Sequence, residues 1–143
     1  MTVFSRTALA VFFIVAGIAH FIMPGPYLAI MPPYIPWPDS MVMLSGAAEI
    51  MGGLAVFFSR TRMAAGWWLI ALLIAVFPAN IYATSIGMEF QGHMVPGWMV
   101  WARLPLQLLL IAWVYRACLG RPSRQRRMAL QSARGWKASH LRL

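Results

Sequence analysis

Four apolar runs, at about residues 3–23, 41–58, 63–84 and 98–119, alternate with short polar or proline-rich connections. Each run is about 18–22 residues long, close to the roughly 20 that an α-helix needs to cross a hydrocarbon core about 30 Å thick. The connections are short, so successive helices have to reverse direction and pack side by side. The pattern therefore predicts an all-α integral membrane protein. Its expected architecture is a four-helix antiparallel bundle over residues 1–119, followed by a basic tail over 120–143. A secretory signal is the other reading of the first run, with Arg6 as its positive region and Gly17-Ile18-Ala19 as a cleavage site. An ordinary signal has a shorter apolar region than this one.

The first connection holds six of the ten prolines, between Pro24 and Pro38. Continuous helix is excluded there, because proline removes a backbone donor and restricts the residue before it. Only Tyr27–Met31 is free enough of proline for a single turn. Tyr27, Tyr34 and Trp37 are of the types that sit at headgroup level, and they predict an aromatic lid over one mouth of the bundle. A plug that merely seals helix ends is the alternative. Asp39 or Ser40 is the expected cap of the second span. Pro78 and Pro105 fall inside spans and are expected to release the carbonyls of Ile74 and Trp101. Gly46, Ala47, Ala48, Gly52 and Gly53 give the second span a small-residue surface that a neighbouring helix can approach closely.

Composition strengthens the membrane reading. Hydrophobic residues make up 61% of the 143, well above ordinary soluble domains, which are nearer half apolar. The net charge of +9 resembles a nucleic-acid signal until its placement is considered. Arg6, Arg60, Arg62, Arg116 and the residues beyond 120 account for 11 of the 12 basic residues, and the connections Pro24–Asp39 and Ser85–Gly97 hold none. The positive-inside rule then predicts an inner-membrane protein with both termini in the cytoplasm. The tail's expected partners are anionic lipid headgroups, at about 1 kcal/mol per basic residue, with a docked protein as the alternative. Arg121–Arg127 lacks the helical or aromatic interleaving of a nucleic-acid site. Cys118 is the single cysteine, so no intramolecular disulfide or paired-thiol redox centre exists, and the residue reads as a small apolar one at a helix end.

Against this background the buried charges stand out. Glu49 and Arg103 interrupt the second and fourth runs, where a mid-bilayer charge costs about 2.5–3.5 kcal/mol. At about 1.5 Å rise per residue Glu49 lies about 14 Å below its surface, Arg103 about 8 Å and Gln107 about 14 Å. Asn80 lies about 6 Å below the surface on the third run, and His20 at a similar level to it on the first. Ser45 shares the Glu49 face, and Gln107 the Arg103 face, at i, i+4 spacing. One polar site composed of His20, Ser45, Glu49, Asn80, Arg103 and Gln107 is the economical arrangement, with Glu49 and Arg103 in direct interaction. For Arg103 the alternative is a side chain that snorkels to the headgroups. For Asn80 and Gln107 it is interhelical hydrogen bonding alone. His20 and Glu49 can move a proton, but no nucleophile with an orienting partner is evident and no catalytic residue is assigned. His20 and His93 lack the spacing of a metal or haem site.

The segments Ala16-Gly17-Ile18-Ala19-His20-Phe21, Met31-Pro32-Pro33-Tyr34, Ser45-Gly46-Ala47-Ala48-Glu49-Ile50-Met51-Gly52-Gly53, Val76-Phe77-Pro78-Ala79-Asn80-Ile81 and Arg103-Leu104-Pro105-Leu106-Gln107 together resemble the DoxX and DoxX-like family of small bacterial membrane proteins. The likeness runs over about Val11–Ala117 and leaves out the tail. It implies a four-helix bundle whose polar positions are His20, Glu49, Asn80, Arg103 and Gln107. It also implies redox association, as in a thiosulfate:quinone oxidoreductase subunit, or assembly work, as in distant animal relatives.

The expected function is a redox-associated accessory subunit whose polar site accepts a quinone or similar lipophile, as part of a quinone-linked oxidoreductase rather than a self-sufficient enzyme. A non-catalytic assembly factor is the second expectation and a small transporter the third. A protein partner or a second copy of the chain is expected beside the bilayer itself.

Overall fold

A computed structural model describes residues 3–90 and 92–120. The tail expected over 120–143 thus lies outside the described residues, apart from Gly120. Five α-helices form in order: α1 Val3–Ile22, α2 Gly25–Ala29, α3 Pro38–Phe57, α4 Arg62–Ile86 and α5 Gly97–Val114. A π-helical turn, Tyr115–Leu119, extends α5, and a two-stranded hairpin, β1 Glu89–Phe90 with β2 His93–Met94, joins α4 to α5. Helices α1, α3, α4 and α5 with its π turn are each long and apolar enough to cross a membrane.

These four helices cover the four apolar runs, with ends shifted by a few residues. Helix α3 begins earlier than expected, at Pro38, and neither Asp39 nor Ser40 caps it. Its cap is Trp37, in left-handed backbone (φ 50°) and without a side-chain hydrogen bond. Proline at the first helical position has its φ already set and lacks only an N–H that would have no partner there. The sharp reversal therefore falls on the residue before it. Pro78 and Pro105 both sit within continuous helix. The hairpin was not foreseen. It turns through Gly92 at φ 80°, in a region that favours glycine, and the Val95 amide donates to the Met88 carbonyl at 2.8 Å.

The most extensive packing is that of α1 on α3, followed by α3 on α4 and α4 on α5. The α1–α3 crossing is a backbone contact. A Cβ placed on Gly17 would stand 2.5 Å from the Gly46 carbonyl oxygen, and one on Gly46 would stand 2.7 Å from the His20 Cβ. Gly53 takes the backbone of Ala10 in the same way, while Gly52 faces Leu69 of α4. The small-residue surface expected on the second span thus serves two neighbours.

The core is split in two. One cluster, at the end where α3 turns into α4, joins Leu9, Phe13, Val56, Leu69, Val114 and their neighbours. The other, at the hairpin end, joins Ile30, Ala83, Met88 and Val100. At the first end α1 is tied to the α5 segment. Arg6 Nε donates to the Ala117 carbonyl at 3.0 Å, and Trp113 Nε1 donates to Ser5 Oγ at 3.0 Å. Arg62 Nε donates to the Val56 carbonyl at 3.1 Å. Arg6 and Arg62 therefore satisfy carbonyls at helix C-termini, where cations are favoured, a role not apparent from their position in the sequence. Cys118 packs on Gly66, consistent with a small residue at a helix end.

Candidate functional site

The two core clusters leave an interior gap, and the polar residues lie in it. His20 of α1, Ser45 and Glu49 of α3, Asn80 of α4, and Arg103 and Gln107 of α5 all line one cavity of about 810 Å³. Pockets that hold small molecules are about 300–1,000 Å³, mostly apolar, with a few placed polar groups. Here Phe13, Val42, Val76, Leu110 and Trp113 are among the apolar walls. Continuing the Arg103–Gln107 face by helical steps through Leu106, Leu110 and Trp113 would have found the α5 wall. The same steps back from His20, through Ala16, Phe13 and Phe12, lead along the α1 wall.

The polar residues divide into two groups. Asn80 and Gln107 are satisfied by each other and by the backbone. Asn80 Nδ2 donates to Gln107 Oε1 at 2.5 Å, and Gln107 Nε2 donates to the Leu73 carbonyl. That carbonyl is one residue before Ile74, the position expected to be freed by Pro78, so α5 supplies a side-chain donor to the α4 backbone beside its proline. This is the interhelical bonding expected of the pair.

The second group is open. Ser45 Oγ, Glu49 Oε2 and Arg103 Nη1 are buried atoms with no hydrogen-bond partner among the described residues. The expected direct pairing of Glu49 with Arg103 is not found: no ion pair joins them. Glu49 Oε2 has His20 Nδ1 at 3.8 Å, beyond hydrogen-bond length. That nitrogen already donates to the Ala16 carbonyl at 2.9 Å. A carbonyl can only accept, so Nδ1 carries a hydrogen, and in the neutral ring Nε2 is then the acceptor. Arg103 is half-buried, and its Nη1 is buried at the cavity. Charged groups held apart and unbonded inside a fold carry a desolvation cost that nothing in the described chain offsets. Polar atoms that the described chain does not pair thus face the cavity.

The lid is narrower than expected. Tyr27, on α2, stacks on His20 with ring centroids 3.8 Å apart and an interplanar angle of 23°, and it lines the cavity with Ile30, Met31 and Ile35. Burial pushes the Tyr27 hydroxyl above the usual tyrosine range, as does the Glu49 charge, against the opposing pull of Arg103. It is a neutral hydroxyl near pH 7. Tyr34 and Trp37 do not line the cavity and are 72% and 74% exposed. Their backbone lies in the same proline-rich segment, but the left-handed turn at Trp37 coincides with side chains directed outward. His93 is exposed on β2 and takes no part in the site. Among the described residues no cluster of three or more His, Cys, Asp or Glu could hold a metal ion.

No curated protein and no solved structure matches this chain. A family model does match, over residues 9–118, a range that includes all six polar positions and Tyr27. The chain belongs to that family, described as a domain of unknown function (DUF8561).

Proposed function

We propose that this protein is a four-span antiparallel bundle of the bacterial inner membrane, with both termini cytoplasmic, that binds a small polar-headed lipophile such as a quinone. Its role is that of a redox-associated accessory subunit of DoxX type. One observation carries the binding reading: Ser45 Oγ, Glu49 Oε2 and Arg103 Nη1 are buried without partners at a single, mostly apolar cavity. A quinone's carbonyl oxygens accept from Arg103 Nη1 and Ser45 Oγ, and the hydroxyl of its reduced, quinol form donates to Glu49 Oε2. His20 Nε2 adds an acceptor beneath Tyr27. The membrane reading rests on four sufficiently long apolar helices, and the orientation on the segregation of basic residues. The DoxX likeness of the quoted segments supports the redox association.

Native mass spectrometry of the detergent-extracted protein, with quinone analysis of its lipid extract, tests the binding reading. A stoichiometric quinone adduct, depleted at least tenfold in Arg103→Met, is expected. Failure to retain or rebind any quinone would leave the assembly-factor reading, in which the polar residues only specify helix packing. The bonding of Asn80, Gln107 and the Leu73 backbone already has that character. A reporter fused to the C-terminus tests the orientation, which activity of a periplasm-dependent reporter would overturn.

A further inference from the structure

Core clusters bound the cavity toward its two ends, and the helices around it are not packed evenly. Helices α1 and α3, α3 and α4, and α4 and α5 pack in sequence, but α1 meets the α5 segment chiefly at the π turn. There the bonds from Arg6 to Ala117 and from Trp113 to Ser5 hold the two together, and Phe12 approaches Trp113 with ring centroids 6.4 Å apart. Above this seam, toward the hairpin end, the helices part. Three large residues that line the cavity there are also exposed on the outer surface, Phe12 of α1 (45%), and Leu106 (59%) and Leu109 (66%) of α5; on α4 only the small Ala75 both lines the cavity and is exposed. A residue that both lines a cavity and reaches the outside marks its mouth. All three are apolar, and the unpartnered Ser45 and Glu49 belong to α3, which packs on the far side of α1 from α5.

We infer that the gap between α1 and α5 is a lateral portal, and that the ligand is a long-tailed lipid. Its oxygen-bearing ring head sits among Ser45, Glu49 and Arg103, and its single apolar chain leaves past Phe12, Leu106 and Leu109 into the hydrocarbon of the bilayer. This rests on the binding reading above and adds to it the route and the tail. The polarity gradient is the physical reason. The buried polar atoms select a head that can bond them, whereas the mouth offers only apolar contact, which suits a chain already solvated by lipid. A tail-less polar molecule gains nothing from the mouth. A lipid with its head in the cavity keeps its tail in the solvent it came from, so the tail has no desolvation to overcome. Tyr27, stacked over His20, closes the hairpin side and leaves this side route as the apolar one.

Two probes separate the portal from the site: a long-tailed isoprenoid benzoquinone and the same ring without its tail. Binding to the full chain in detergent micelles is read by native mass spectrometry. Leu109→Trp narrows the mouth from α5 and Phe12→Trp narrows it from α1, so the two variants do not depend on one another's folding. Leu108→Trp is the control, exposed on the same helix but absent from the cavity wall. Each mouth variant is expected to weaken the long-tailed probe about tenfold or more relative to the tail-less ring, and Leu108→Trp to change neither. Equal weakening of both probes, or no weakening of the long-tailed one, would overturn the portal while leaving the binding reading intact. If neither probe binds the unaltered protein, the binding reading fails and the portal with it.

Discussion

Glu49 and Arg103 line the same cavity and yet form no ion pair, each keeping a buried atom without a hydrogen-bond partner. In a site built for its own stability the two would close on each other, because an unmade bond on a buried polar group costs about 1–3 kcal/mol. Glu49→Gln and Arg103→Met are therefore expected to leave the ligand-free protein as stable or more stable, by up to about that amount, while weakening ligand retention. The pair should also be nearly additive, with a coupling below about 0.5 kcal/mol. A double-mutant cycle by thermal unfolding in detergent measures this; a coupling of several kcal/mol would mean that the residues meet.

Gln107 is the opposite case, since both ends of its amide are used. Gln107→Leu strands the Asn80 amide and the Leu73 carbonyl together. The loss should be about 1–3 kcal/mol, above the average of about 0.6 kcal/mol for a single interhelical hydrogen bond in a membrane protein. Unfolding of Gln107→Leu beside Asn80→Ala checks it. A change within about 0.5 kcal/mol of zero would mean that lipid or water replaces the side chain.

The Gly17–Gly46 crossing predicts a steep steric response. Gly46→Val forces a branched side chain against the Gly17 backbone and the His20 Cβ, and overpacking of this kind costs about 1–3 kcal/mol or more. Gly25→Ala is the matching control, because nothing lies within 4 Å of a Cβ placed there. Equal melting temperatures for the two variants would contradict the close crossing. Since Gly46 also seats His20, Gly46→Val is further expected to disturb the stack of His20 on Tyr27.

Tyr27 lies between spans, and burial raises its hydroxyl pKa first, with Glu49 adding to the shift. A folded-state value above the ordinary one of about 10 means that stability linked to the neutral phenol is complete below that pH. It is lost as pH rises through the folded value. The difference in tyrosinate absorbance between the native protein and Tyr27→Phe should therefore have its midpoint above pH ~10. A midpoint at or below the ordinary value would show that the lid does not exclude water.

The helices, the proline-rich break between α1 and α3, and all six polar positions of the cavity could be read along the chain. A run of about 20 apolar residues has few alternatives to a helix, and a charged residue inside one is conspicuous. The rise per residue, a local property of the helix, puts His20, Glu49, Asn80, Arg103 and Gln107 in the same half of the bundle. Boundaries were less legible where two signals competed. At Pro38, the preset φ of proline prevailed over the capping chemistry of Asp39 and Ser40. The hairpin at Glu89–Met94 is a pair of two-residue strands, too short to leave a periodic pattern.

The sequence by itself determined which residues are helical, which are too polar for their surroundings, and roughly how deep each lies. Only the tertiary structure decided how those residues pair. Opposite charges at similar depth suggested that Glu49 meets Arg103, yet rotation about each helix axis is set by packing, here by Gly17 against Gly46 and by Trp68 Nε1 donating to the Ala48 carbonyl at 3.0 Å. Those contacts bring Asn80 to Gln107 and His20 to Tyr27, and leave Ser45, Glu49 and Arg103 with unpartnered atoms at the cavity. The side opening has the same origin: α1 and α5 are first and last in a sequence of pairwise contacts, and whether such a sequence closes depends on crossing geometry, which no local pattern encodes.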